Sequence, residues 1–324
     1  MLNWLSDRVG VRPARKRAGR GAGWFRAWET MYNAFFGFKE SPFNLTPDPA
    51  FLYRSQQHEE ALANLIYGVQ SRKGFVVLTG EVGTGKTTML ECLQDYLTAH
   101  QLDFAFLFNS RLTVEQFFEM MAYDLDLQCE HRSKTEVLIA LNQLLLKNTS
   151  DGRTTVLIVD EAHNLEWDVL EEIRLLGNLE NRHGKLLQIV LAGQPEFDRK
   201  LDAPSLRQLK QRIVLRCMLR PFTPEELTEY VQTRLEKAGL AGQGVFPPEI
   251  LAEIHVRSQG IPRLINAICD NLLLTAFAME SKTATLRMLD EVSDDMRLEW
   301  PGKRLGASRL QSGVRAGPSL FSRE

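Results

Sequence analysis

Apolar and polar positions along the chain follow two different rhythms. From residue 31 to about 220, short apolar runs alternate with longer segments of helical period. Phe75–Thr79, Phe104–Asn109, Thr155–Val159, Leu186–Ala192 and Ile213–Leu219 are the short runs. Near-continuous apolar character of this kind marks strands buried on both faces of a parallel sheet. Between them lie His58–Ser71, with Leu62, Leu65, Ile66 and Val69 on one face, then Lys86–His100, Val114–Leu125, Lys134–Leu146, Asp168–Leu179 and the short Ser205–Gln211. Strand–helix alternation with short connections predicts an α/β, doubly wound domain: a five-stranded parallel sheet flanked by helices.

Past Pro221 only the helical period remains. Thr223-Pro224-Glu225-Glu226 supplies an N-cap, a proline at the first helical position and a capping-box glutamate. That helix runs to about Ala238. Pro247 and Pro248 open the next, Ile261–Ala278 forms a third, and Leu286–Met296 a fourth. The expected organisation is a basic extension over 1–30, an α/β domain over 31–220, a small all-helical domain over 221–300 and a Gly/Ser/Arg-rich tail over 301–324. The two ends lack periodic pattern and are expected to be poorly ordered, with Met31 an alternative start.

Charge sharpens this division. The net charge of -2 conceals seven Lys/Arg in residues 1–30 and five in residues 301–324, so residues 31–300 hold 27 basic against 38 acidic side chains, a net of −11. An acidic body argues against a body-wide nucleic-acid footprint. Cys92, Cys129, Cys217 and Cys269 form no CxxC pair and read as reduced, buried thiols. No segment has the ~18 apolar residues of a membrane helix, and no signal peptide is evident, so the expected location is the cytoplasm, peripheral at the inner membrane at most.

The chemistry is concentrated in two places. Gly80-Glu81-Val82-Gly83-Thr84-Gly85-Lys86-Thr87 matches G-x-x-x-x-G-K-[ST], follows an apolar strand and opens a helix, the context that confirms a P-loop. Glycines let backbone N–H groups wrap phosphates, the helix N-terminus adds its dipole, Lys86 supplies a charge to the β/γ-phosphates, and Thr87 offers a hydroxyl to Mg²⁺. Thr88 continues the same turn. The second place is Val156-Leu157-Ile158-Val159-Asp160-Glu161, a buried strand delivering carboxylates about 75 residues after the P-loop. Asp160 is assigned to Mg²⁺ through water, and Glu161 to the attacking water, a role typically worth 10²–10⁴-fold in rate. Asp160-Glu161-Ala162-His163 spells DEAH, but an all-helical remainder cannot supply a helicase's second domain; His163 is read as a loop or helix-start residue with at most a minor role near the γ-phosphate.

Met31–Phe43, Thr46–Tyr53, Thr79–Thr88, Val159–His163, Ala192-Gly193-Gln194-Pro195-Glu196 and Gly260-Ile261-Pro262-Arg263, in this order, resemble AAA+ ATPases of the general secretion pathway protein A (ExeA) type, with their exosortase- and pilus-associated relatives. The resemblance implies a P-loop NTPase AAA+ module with a helical lid. It implies further roles: Gln194 touching γ-phosphate or attacking water, Asn109 restraining Glu161 or merely capping a strand, Arg207 or Arg212 as an arginine finger reaching a neighbouring subunit's ATP, and Arg263 as the lid's sensor arginine. Phe43–Tyr53 is expected around the adenine. Proteins of the ExeA type continue into a membrane helix and a peptidoglycan-binding domain; the present sequence more closely resembles the shorter relatives. The implied function is an ATP-hydrolysing, homo-oligomeric motor or switch with an envelope-assembly partner in secretion, pilus or exopolysaccharide systems. The alternatives are a DNA-linked, transposition-type regulator and a nucleotide-binding adaptor without turnover.

Overall fold

The computed structural model describes residues 32–44, 53, 55–108, 111–129, 133–182, 184–240 and 244–300. A short helix over residues 32–36 (α1) comes first. The sheet domain follows as α2 (Gln56–Gln70), β1 (Phe75–Gly80), α3 (Lys86–Ala99), β2 (Phe104–Leu107), α4 (Val114–Asp124), α5 (Lys134–Ser150), β3 (Thr155–Val159), α6 (Trp167–Leu176), β4 (Glu180–Asn181), β5 (Gly184–Lys185), β6 (Leu187–Gly193), α7 (Pro195–Leu201), α8 (Arg207–Arg212) and β7 (Ile213–Leu219). Four lid helices complete it: α9 (Pro224–Lys237), α10 (Pro248–Ser258), α11 (Pro262–Ala278) and α12 (Leu286–Asp295).

The main sheet has the order β2-β3-β6-β1-β7, and every pairing in it is parallel. Burial explains the order. All residues of β1, β3 and β6 are buried, as their continuous apolar runs require of central strands. β7 alternates between buried or half-buried and exposed positions, as an edge strand does. One face of the sheet packs on α4, α5, α6 and α7 through Phe117, Phe118, Leu141, Ile173 and Phe197. The other packs on α2 and α3 through Leu65, Val69, Leu90 and Leu93.

The five expected strands therefore form one sheet. Four elements lacked a readable signal: the five-residue α1, the two-residue strands β4 and β5, too short for a period, and α7, seven residues long behind Gly193-Gln194-Pro195.

The N-terminal segment differs from the sequence-based grouping in where it buries its aromatics. Tyr32, Phe36, Phe38 and Phe43 lie in the same core as Tyr230, Phe246, Ile268 and Leu272 of the helical region. Tyr32 donates its hydroxyl to Asp270 Oδ1 at 2.7 Å, and Lys39 N–H donates to Ala238 O at 2.7 Å. Four short lid helices enclose too little apolar area alone, and the strap's aromatics complete their core. The basic and Gly/Ser-rich ends, Asn109 and residues 45–52 lie outside the described residues.

Phe43 is fully buried in this second core. Phe43→Ala is expected to cost about 3–5 kcal/mol. Hydrogen exchange should show lost protection concentrated in α9–α11 while β1, β3 and β6 stay protected.

Candidate functional site

The carboxyl ends of β1, β3 and β6 meet at one edge of the sheet, where open α/β folds bind ligands. β1 runs directly into the Gly80–Thr87 loop, and α3 leaves from it. Gly83 and Gly85 have φ of +83° and +101°, conformations that side-chain-bearing residues rarely adopt. The loop is also crowded: a Cβ on Gly80 would sit 2.7 Å from Leu219 O, and one on Gly83 2.7 Å from Arg263 Cβ. Thr84 is buried and donates its hydroxyl to Glu81 O at 2.8 Å, closing the turn. Val82 and Glu81 are exposed on its outer side, and Thr88 is half-buried in the first turn of α3.

Lys86 is only 6% exposed and donates through Nζ to Gly80 O at 2.7 Å and Glu81 O at 2.9 Å. Burial pushes its ammonium below the usual lysine range, while Glu161, Asp160, Glu81 and Glu196 pull it back up. Asp160, also 6% exposed, has the complementary problem. Burial raises its carboxyl above the usual range and the Glu161 charge adds to this; the Glu161 N–H, the Thr87 hydroxyl and Lys86 oppose it. The Glu161 N–H reaches Asp160 Oδ1 at 2.8 Å, and Thr87 Oγ1 reaches Asp160 Oδ2 at 3.3 Å. A hydroxyl and a carboxylate side by side are hard oxygen donors of the kind Mg²⁺ takes. The left-handed backbone at Gly83 and Gly85 gives the loop the curvature of a phosphate cradle, which fits a triphosphate.

Glu161 leaves β3 with φ of +53°, left-handed and unusual for glutamate, and caps a 3₁₀ turn over Ala162–Asn164. This turn swings its carboxylate away from the Asp160 side and toward β6. There Glu161 Oε2 lies 3.3 Å from His163 Nδ1 and 3.5 Å from Gln194 Nε2, while Gln194 Nε2 lies 3.1 Å from His163 Nε2. Gln194 stands between the end of β6 and the start of α7, and Lys200, near the end of α7, donates to His163 O at 3.2 Å and to Leu165 O. His163 and Lys200 thus belong to the site's surroundings. The DEAH spelling pointed near the first; nothing in the sequence marked the second.

The lid touches this loop directly. Arg263 opens α11, and its N–H donates to Gly83 O at 3.2 Å, with its side chain exposed above. His58, buried in the first turn of α2, accepts from or donates to Ser55 Oγ at 2.6 Å and Thr84 O at 3.2 Å. Thr84 O can only accept, so Nε2 carries the proton and Nδ1 accepts from Ser55. Burial lowers the His58 imidazole below its ordinary value of 6.5. Its ring meets Phe222 edge-on, and Tyr53 packs on Phe222 and Tyr230 with its hydroxyl on Glu229 at 2.6 Å. Phe43 lies in the same lid core, with its ring against Phe246.

Arg207 and Arg212 stand apart from these residues. Ile213 pairs with Phe75, the first residue of β1, whereas the P-loop follows the last; the six residues of β1 separate the two ends by about 20 Å. Arg212 donates to Arg174 O at 2.7 Å, and Arg207 is exposed on α8.

Comparison with known proteins agrees with this geometry. Residues 69–201 match a family described as an AAA domain. The chain is 45% identical over 252 residues to "General secretion pathway protein A" of Aeromonas hydrophila, an alignment covering 78% of this chain and 46% of that protein, so the chain spans about half the relative's length. Among solved structures, Cdc6p from Pyrobaculum aerophilum superposes with a TM-score of 0.58 at 20% identity, covering 81% of this chain and 70% of that one. The Aeropyrum pernix ORC2 protein in its ADPNP–ADP complexes gives 0.59 at 17%, covering 79% and 72%. The Drosophila ORC bound to DNA gives 0.60 at 18%, covering 95% and 76%. At these identities the likeness is one of fold.

Two outcomes follow for stability without nucleotide or metal. Asp160 has a folded pKa above its unfolded one, so its charge opposes folding once ionised. Asp160→Asn should therefore raise the thermal midpoint at pH 7, by about 2 °C. His58 has a folded pKa below its unfolded one, so its contribution is complete above pH 6.5 and is lost as pH falls below that value. Urea unfolding from pH 7.5 down to 5 should show the midpoint dropping on this limb, and His58→Gln should flatten it.

Proposed function

Because the chain belongs to the AAA+ P-loop ATPases as a homologue of general secretion pathway protein A, we propose that it binds ATP with Mg²⁺ and hydrolyses it as an oligomeric motor or switch in an envelope assembly system. The observation that carries the reading is the meeting of Lys86, Thr87, Asp160 and Glu161 at one sheet edge.

In this reading the backbone of Gly80–Thr88 cradles the phosphates and Lys86 exchanges its two loop carbonyls for phosphate oxygens. Thr87 and Asp160 hold Mg²⁺, which when bound neutralises charge on the phosphates. Glu161 orients the attacking water and accepts its proton, and Gln194 contacts the γ-phosphate or that water. Arg263 meets the phosphates from the lid, so nucleotide state and lid position are coupled through α11. Arg207 lies across the sheet from its own P-loop and can serve only a neighbouring copy's phosphates. Arg212, held by Arg174 O, is the weaker candidate for this finger. The envelope partner, in secretion, pilus or exopolysaccharide export, is proposed from the relative's name. Among the described residues no helix is long and apolar enough to cross a membrane. The acidic body, net −11 over residues 31–300, counts against the DNA-linked alternative.

Phosphate-release assays and a fluorescent ATP analogue test the reading together. Lys86→Ala should weaken Mg-ATP binding at least tenfold. Glu161→Gln should keep binding and lower turnover about 10²–10⁴-fold. Arg207→Ala should lower turnover on the order of 10³-fold without loss of binding, and mixing it with Lys86→Ala chains should restore part of the activity. Failure of the parent chain to bind Mg-ATP would remove the proposal altogether.

A further inference from the structure

One buried side chain that touches the P-loop has no part in the proposed chemistry. His58, in the first turn of α2, is 6% exposed. Its Nε2 lies 3.2 Å from Thr84 O, and its Nδ1 2.6 Å from Ser55 Oγ. A neutral imidazole has one donor and one acceptor. A carbonyl oxygen can only accept, so the network assigns the proton to Nε2, which donates to Thr84 O. Nδ1 then accepts from the Ser55 hydroxyl. The Ser55 oxygen in turn accepts the His58 N–H at 3.4 Å, so the N-cap of α2 fixes the tautomer of the ring.

The Thr84 carbonyl stands just before the hydrogen-bond ladder of α3, in which the Met89 N–H donates to Gly85 O. The N–H and hydroxyl of Thr84 are both turned to Glu81 O, at 3.3 and 2.8 Å. Thr84 is thus held from the loop on one side and from α2 on the other. A trans peptide is planar, with its N–H opposite its C=O. Tying Thr84 O to α2 therefore turns the Gly85 N–H away from α2. Gly85 takes up this arrangement with φ of +101°, and a Cβ on it would sit 3.2 Å from His58 Nε2. The mount itself is firm. The Phe222 ring backs His58 edge-on, with centroids 5.6 Å apart. Gln57 donates to Arg220 O and accepts the Arg220 N–H, both at 3.1 Å, which fastens the first turn of α2 to the chain entering the lid.

We infer that His58 is a positioning residue for the phosphate loop: its Nε2–H ties the Thr84 carbonyl to α2 and so aims the Gly85 N–H at the β-phosphate of the nucleotide. The inference rests on the reading of Gly80–Thr87 as an ATP loop whose backbone N–H groups cradle the α/β-phosphates. It gives a physical use to a ring held in one place by both of its nitrogens. ATP and ADP share the β-phosphate, so the tether serves the binding of both and leaves the hydrolytic step to Glu161.

The test uses the full chain with His58→Ala, His58→Asn and His58→Gln. Affinity is read with a fluorescent ATP analogue and, by competition, for ADP; turnover is followed by phosphate release and folding by the thermal midpoint. A glutamine amide places its nitrogen near the Nε2 position, whereas an asparagine amide places it near Nδ1, short of Thr84 O. His58→Ala and His58→Asn should weaken Mg-ATP and ADP binding alike, by about tenfold, and raise KM to match, while kcat at saturation changes less than about twofold. His58→Gln should recover most of the loss, and the asparagine and glutamine variants carry the test should His58→Ala fold poorly. Unchanged affinity in His58→Asn, beside a Lys86→Ala chain that has lost binding, overturns the role of His58 alone. Equal losses in His58→Asn and His58→Gln show that the bulk of the ring matters rather than its donor, and overturn it too. A parent chain that binds no Mg-ATP removes the ATP reading and the inference with it.

Discussion

The arrangement of the site turns on holding two opposite charges, Lys86 and Asp160, almost out of water at the same edge of a sheet. Each alone is costly there, and burial moves each toward its neutral form. What keeps them in place is backbone. Lys86 is bonded to two carbonyls of its own loop, and Asp160 to the N–H of Glu161 and the hydroxyl of Thr87. The register of β6 with both strands fixes their relative heights: Val77 and Val159 both lie opposite Leu191, so Asp160 and Glu161 leave β3 alongside the last residues of β1. A misregistered strand would leave one charge buried without its partners. The fully buried central strands are therefore the means by which a polar pair is kept dry and aligned.

The lid is tied to that pair at the loop itself. The first backbone N–H of α11, that of Arg263, donates to Gly83 O, and the absence of a side chain on Gly83 leaves α11 its seat. A few residues away, Phe222 N–H donates to Gly260 O, and the Phe222 ring lies against His58, Tyr53 and Tyr230. P-loop, lid helix, α2 and the α/β-to-lid junction thus share one small region. A shift of the loop on binding phosphate has few ways to go unfelt by the lid. Phe43 sits in the lid core, and His58 lies beneath the loop.

Much of this was legible from local signals. Gly80–Thr87 and Asp160-Glu161 were readable because phosphate and metal binding demand particular residue types at particular spacings. The strands were readable because burial on both faces demands unbroken apolar runs. His163 was harder: the DEAH spelling drew attention, but its place in the site depends on Gln194, which is brought to it by the pairing of β3 with β6. Lys200 was invisible, a lysine on a short helix whose only distinction is the carbonyls it meets. The aromatics of residues 32–43 join the lid core, an outcome with no local signal, because a cluster of aromatics cannot say which of two cores receives it.

By itself, then, the sequence determined the Gly80–Thr87 loop pattern, the position of the paired acids after a buried strand and the alternation that makes a parallel sheet, because each is written in contiguous residues whose local physics is self-sufficient. Tertiary structure alone decided which side chains surround Glu161, that the N-terminal strap completes the lid, and that Arg207 lies across the sheet from its own P-loop. Those outcomes depend on strand order and on which buried surface is left uncovered, and both are properties of the whole packed chain.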